Sequence, residues 1–130
     1  MRGGELVEAL RMRALPEGSD DRDALVEFLK LYRDVLQLVV NRLWSLSEIP
    51  SITTLHKMFY NELRKHGFRA HHVKQVYIYA KAVVRASKKS GGKKPVLRRL
   101  TARIDRYDYR LDLESRMLIL KIHENREVKL

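Results

Sequence analysis

Lys74, Lys81, Arg85 and Lys88 follow one another at intervals of seven, four and three residues. At 100° per residue of α-helix that spacing gathers them in a stripe roughly 60° wide. Cations stacked in this way repel by a few tenths of a kcal/mol per i,i+4 pair, and no acidic residue is interleaved to relieve them. A phosphate backbone relieves them, because each neutralised phosphate releases condensed counterions. Lys89, Lys93, Lys94, Arg98 and Arg99 extend the run past Gly91-Gly92, where the absence of side chains lets a sugar-phosphate chain approach the backbone closely. These nine side chains are the candidate nucleic-acid contacts. The plainer reading of the same residues is a solvated helix face and a polar loop.

Other chemistry-bearing residues make weaker cases. His56, His66, His71 and His72 crowd one region, yet zinc needs three or four converging ligands. Adjacent His71 and His72 point apart on a helix, so phosphate contact or helix N-terminal capping suits them better. Gly91-Gly92-Lys93-Lys94-Pro95 lacks the glycine spacing and following helix of a phosphate-binding loop. Asp105 falls on the opposite strand face from Asp108 and Asp112 if that region is continuous, which argues against a metal-dependent nuclease centre. Tyr107 and Tyr109 then share a face and read as core. Tyr77 shares the apolar face of Val73 and Val84; Tyr79 lies further round, where it can stack on a base. No catalytic residue, metal or cofactor is expected.

The chain has 130 residues with 27 Lys+Arg against 16 Asp+Glu, a net charge of +11. Residues 57–104 hold fourteen of the basic side chains and one acidic one, Glu62, whereas the flanking stretches are near balance. A field concentrated in this way points to a polyanionic partner. With no cysteine, disulfide frameworks, thiol catalysis and cysteine zinc sites are excluded. No apolar run approaches the roughly 20 residues of a membrane span, and Met1-Arg2-Gly3-Gly4-Glu5 lacks the apolar core of a secretion signal. The expected location is cytoplasmic.

These side chains need a scaffold, and the expected class is α+β in a single domain. Residues 5–15 are ambiguous, with Leu10, Met12 and Ala14 alternating as in a strand and Glu5 to Leu10 good helix formers; they lean to an N-terminal strand before the Pro16-Glu17-Gly18 break. Ser19 or Asp20 is placed to cap a long first helix whose apolar positions run from Leu25 to Leu43, ending near Trp44. Ser51 caps a second helix with Ile52, Leu55, Phe59 and Leu63 inward and Gly67 beyond its end. A third runs from about Ala70 to Lys89 with Val73, Val76, Tyr77, Ala80, Val83 and Val84 inward. From residue 96 the pattern turns strand-like, and period two is clear from Ile104 to Leu113. A turn at Glu114-Ser115-Arg116 leads to a returning strand over Met117–Ile122, and Val128 to Leu130 form a last one. The architecture expected is a three-helix bundle (19–90) inserted between the N-terminal strand and a small C-terminal antiparallel sheet (96–130), a partial barrel.

This order of elements, with Tyr60-Asn61-Glu62-Leu63-Arg64, the helix from Val73-Lys74-Gln75-Val76 to Ala82-Val83-Val84-Arg85-Ala86, the Gly-Lys-Lys-Pro loop and Ala102-Arg103-Ile104-Asp105 to Leu111-Asp112-Leu113, resembles the N-terminal region of OrfB/TnpB-type transposon proteins. Those are RNA-guided nucleases of mobile elements, and the resemblance covers nearly the whole chain. It implies a helical recognition insertion and a wedge-type β-barrel that grip guide RNA and its duplex with DNA. By position it places Lys74, Lys81, Arg85, Lys88, Lys93 and Lys94 on the nucleic-acid side. The family's RuvC-like nuclease domain and four-cysteine zinc module have no counterpart in these residues, so the resemblance implies a truncated, transposase-like binding portion without nuclease activity.

The expected function is therefore an RNA- or DNA-binding domain contacting backbone with weak sequence preference. The alternative is an interaction module that uses the long first helix and an open sheet edge, with a homodimer or second chain as partner. A small nuclease is the third reading, and no convergent acid, base or metal set supports it.

Overall fold

A computed structural model describes residues 14–123 and 126–130. The expected N-terminal strand lies outside the described residues except for Ala14 and Leu15, which belong to no strand. The fold is α+β, with three helices followed by a three-stranded antiparallel open sheet.

Helix α1 spans Ser19–Trp44, about 39 Å at 1.5 Å per residue. Gly18, not Ser19 or Asp20, occupies its N-cap without a side-chain hydrogen bond. Asp20 and Asp21 still sit in the first turn, where negative charge complements the helix dipole. Its buried stripe is Phe28, Tyr32, Val35, Leu36, Val39, Val40 and Leu43. Helix α2, Ile52–Arg64, is capped as expected: Ser51 Oγ accepts from the Thr54 amide at 3.3 Å. It ends at a turn through Gly67, whose φ of +87° is a conformation that a β-carbon disfavours. Helix α3, Ala70–Lys89, buries His72, Val73, Val76, Tyr77, Ala80 and Val84, and Val83 is half-buried. Fully burying each large side chain along these stripes contributes about 1.5–3 kcal/mol, so the three faces meet in one core.

The chain after α3 departs from expectation. Residues 93–104 form no strand, because side chains of the bundle take up their backbone groups. Gln37 Nε2 donates to the Pro95 carbonyl at 2.9 Å, and its Oε1 accepts from the Leu97 amide at 2.7 Å. The Tyr32 hydroxyl lies between the N–H and C=O of Arg103 at 3.4 and 3.5 Å. Nor does the next segment run as one strand. Asp105 Oδ1 accepts from the Tyr107 amide at 3.0 Å and starts a 3₁₀ turn, Arg106–Asp108. The turn reverses the expected burial: Tyr107 and Tyr109 are exposed and Asp108 is fully buried.

Strands β1 (Tyr109–Asp112), β2 (Met117–His123) and β3 (Arg126–Lys129) pair in the order β1-β2-β3. Tyr109 is opposite Leu120 and Leu120 is opposite Val128, with a register shift between Lys121 and His123. Ile122 and Val128 turn into the core and Leu120 packs against it. The outer edge of β3 is protected in a way that dipole arguments alone do not reveal. Asp21 Oδ2 accepts from the Lys129 amide at 3.0 Å, and the Glu17 amide donates to the Lys129 carbonyl at 3.1 Å. The start of α1 thus closes one sheet edge. Among the described residues no strand pairs with the outer edge of β1, near which Leu15, Leu111 and Leu113 are exposed. None of the described helices is long and apolar enough to cross a membrane.

Candidate nucleic-acid interface

The α3 stripe forms on the flank of the buried face. Lys74 and Arg85 are exposed and Lys81 is half-exposed. Lys88 is engaged within the fold. Its Nζ donates to the Leu46 carbonyl at 2.8 Å and lies 5.2 Å from the centre of the Trp44 ring. That ammonium therefore ties the end of α3 to the end of α1 through a hydrogen bond and a cation–π contact.

Lys89, Lys93 and Lys94 are exposed at the helix end and in the loop. The loop itself is held: Ser87 Oγ donates to the Lys93 carbonyl at 2.7 Å, and the Gly92 amide donates to the Ser87 carbonyl at 2.8 Å. A β-carbon at Gly92 would stand 2.9 Å from Ser87 Oγ and 3.3 Å from the Ser87 carbonyl oxygen, so a larger residue there must displace the Ser87 hydroxyl that holds Lys93.

Arg98 and Arg99 face elsewhere. With Arg33, Leu36, Tyr79 and Leu97 they line a cavity of about 420 Å³ between α1, α3 and the 96–101 segment. Tyr79 and Lys81, two residues apart, are about 160° apart around the helix. The nine candidate cations therefore divide between two sides of α3, joined at its C-terminal end, rather than forming one ridge. Among the described residues none of the nine forms an ion pair with a carboxylate.

Two cations at this cavity were not singled out by the helical pattern. Arg33 lines it from α1, and the Arg103 guanidinium carbon sits 4.4 Å from the centre of the Tyr79 ring. Tyr79 is further fixed by its hydroxyl, 3.3 Å from Thr101 Oγ1. The sequence signal for Arg33 was its i,i+4 relation to Gln37 on α1. Because Gln37 sets the path of the segment bearing Arg98 and Arg99, Gln37→Ala is expected to lower unfolding free energy by about 2 kcal/mol through two lost hydrogen bonds. Amide hydrogen exchange should then show reduced protection at Leu97 with α-helical content retained.

The histidines do other work. His72 Nε2 is 2.6 Å from the Lys121 carbonyl, to which it donates, and its Nδ1 lies 3.5 Å from Asp108 Oδ2. Arg69 Nε donates to Asp108 Oδ1 at 2.7 Å. Burial holds the His72 ring below its ordinary pKa, against the hydrogen bond to Lys121 and the charge of Asp108, which favour the proton. His71 stacks on Tyr107 at 4.8 Å and lies 3.6 Å from Asp105 Oδ2. Both histidines thus join α3 to the turn before β1, and Arg69, not either of them, occupies the N-cap of α3. His56 Nδ1 meets the Tyr77 hydroxyl at 2.5 Å; burial, with the nearby Tyr60, pushes Tyr77 up to about 12. Among the described residues no group of three or more His, Asp or Glu side chains is arranged to hold a metal ion.

Comparison of the chain with protein-family models, curated proteins and solved structures finds no match.

Proposed function

We propose that this chain is a non-enzymatic nucleic-acid-binding domain that holds RNA or DNA by its phosphate backbone, with weak sequence preference. One observation carries the reading: the basic surplus of residues 57–104 emerges from the fold with no carboxylate partner among the described residues at any of the nine candidate positions. Lys74, Lys81 and Arg85 act as point charges on a rigid rod, where a phosphate chain replaces their mutual repulsion with attraction. Lys89, Lys93 and Lys94 extend that charge around the helix end to Arg98 and Arg99. The resemblance to the N-terminal region of OrfB/TnpB-type proteins favours the same assignment and a guide-RNA-like structured partner. Helix α1 supports an assembly role less well, since its apolar stripe is buried inside the chain.

The test is affinity against salt, by fluorescence anisotropy of a labelled structured RNA and a labelled DNA duplex with the full chain. Four or more phosphate contacts predict a slope of log affinity against log salt of about −4 or steeper. Absence of binding at low salt, or affinity indifferent to salt, would overturn the proposal.

A further inference from the structure

We infer that the cavity between α1, α3 and residues 96–101 seats one unstacked nucleotide of the bound strand, with its phosphate on Arg33, Arg98 and Arg99 and its base against Tyr79. This rests on the nucleic-acid reading and adds to it that the strand is single where it meets this side of α3.

The walls are of two kinds. Arg33, Arg98 and Arg99 supply three guanidinium groups, whose planar donor forks match phosphate oxygens. Arg33 gives its Nε to Asp34 Oδ1 at 3.2 Å, which leaves its two terminal nitrogens for an incoming anion. Tyr79, Leu36 and Leu97 supply the apolar part of the lining. At about 420 Å³ the space falls within the roughly 300–1,000 Å³ of small-ligand sites.

A bare phosphate would leave the apolar wall wet, and an acidic side chain has no flat face to offer it. A nucleotide satisfies both halves at once. The ring that would receive the base is already fixed by the Arg103 guanidinium and by Thr101, so little side-chain freedom is lost on binding. Bases paired inside a duplex cannot enter a lateral cavity, whereas splayed single-strand bases stack readily on aromatic and guanidinium planes. On the other side of the helix Lys74 borders a cavity of about 340 Å³ with Ile52, His56 and Tyr77, which carries no guanidinium group.

The probe is AMP, titrated into the ¹⁵N-labelled full chain, with inorganic phosphate and a short glutamate peptide as comparisons. AMP is expected to shift the Arg33, Arg98 and Arg99 side-chain N–H signals and the Leu97 and Thr101 amides, and to bind about tenfold more tightly than phosphate, the base supplying the difference. Arg98→Ala with Arg99→Ala, both exposed and without side-chain hydrogen bonds among the described residues, should weaken AMP about tenfold. Tyr79→Leu should weaken AMP while leaving phosphate unchanged. The double arginine variant should also lose the parent's preference for single-stranded RNA over a duplex of the same sequence while still binding the duplex. AMP that binds no better than phosphate or the glutamate peptide, or that shifts only the Lys74 and Lys81 region, overturns the cavity assignment. If duplex and single strand are then still bound alike, the interface reading stands without it. If no polynucleotide binds at low salt, that reading falls and the strand site falls with it.

Discussion

Replacing Asp108 by alanine is expected to lower the unfolding free energy by about 3 kcal/mol, the low end of what breaking a buried ion pair costs. For a domain of this size that corresponds to a fall of roughly 10 °C in melting temperature. Asp108 is wholly buried, yet it sits in a three-residue turn between a loop and the first strand. Its Oδ1 accepts from Arg69 at the start of α3, and its Oδ2 faces His72 one turn later. His72 in turn donates to the Lys121 carbonyl in the middle strand. Through these contacts a single carboxylate joins the helical bundle to the sheet. Alanine removes the Oδ1 acceptor of Arg69 and leaves a void between α3 and the turn. Urea unfolding, followed by circular dichroism and by Trp44 fluorescence, measures the change. A loss under 1 kcal/mol would show that the carboxylate does not join the two layers.

The same cluster sets a pH dependence whose sign follows from burial. The folded-state pKa of His72 is lowered, so at pH values below the ordinary histidine range the unfolded chain takes up a proton that the folded chain refuses. Stability from this residue is complete above about pH 6.5 and falls on acidification, by at most about 1.4 kcal/mol per pH unit, until the folded ring itself protonates. Asp108 and Lys121 both favour the proton, while Arg69 and His123 oppose it. Asp108→Ala should therefore steepen the acid loss, and His72→Gln should remove this component from the stability–pH curve.

Helix existence and extent were legible because three long apolar stripes have helical period. Ala70–Lys89 is delimited by an arginine before it and by Ser90-Gly91-Gly92 after it, and the observed helix ends there. The sheet was legible only where β-strand alternation coincides with a partner strand. Residues 96–104 have strand-like composition, but the Leu97 amide found Gln37 and the N–H and C=O of Arg103 found Tyr32 on α1, 60 and 71 positions away in sequence. Alternation cannot register a side chain that substitutes for a neighbouring strand. Asp108 was likewise hidden, since a charged residue between two tyrosines reads as the wet face of a strand until a turn inverts it. Among the cations, helical angle identified Lys74, Lys81 and Arg85 as one stripe. It could not reveal that Lys88 would meet Trp44, nor that Arg98 and Arg99 would face Arg33, because those relations exist only after α1 and α3 pack.

That division makes charge reversal on the stripe the more searching experiment. Lys74→Glu with Arg85→Glu replaces two cations by two anions at exposed positions that have no ion-pair partner among the described residues. Helicity and melting temperature should hardly change, since nothing in the fold depends on either charge. Affinity for structured RNA or duplex DNA should fall by at least about a hundredfold, the equivalent of two charged hydrogen bonds lost. The salt dependence should flatten by about two units of slope, because two phosphate contacts no longer release counterions. Lys88→Met is the matched control. Its ammonium already serves the Leu46 carbonyl and the Trp44 ring, so its loss should lower stability and alter Trp44 fluorescence while leaving the salt slope almost untouched. If the double reversal binds like the parent, the stripe is a solvated helix face and the polyanion is held elsewhere. If Lys88→Met flattens the slope as much as the reversal does, its bonds to α1 yield to phosphate and the helix ends separate on binding.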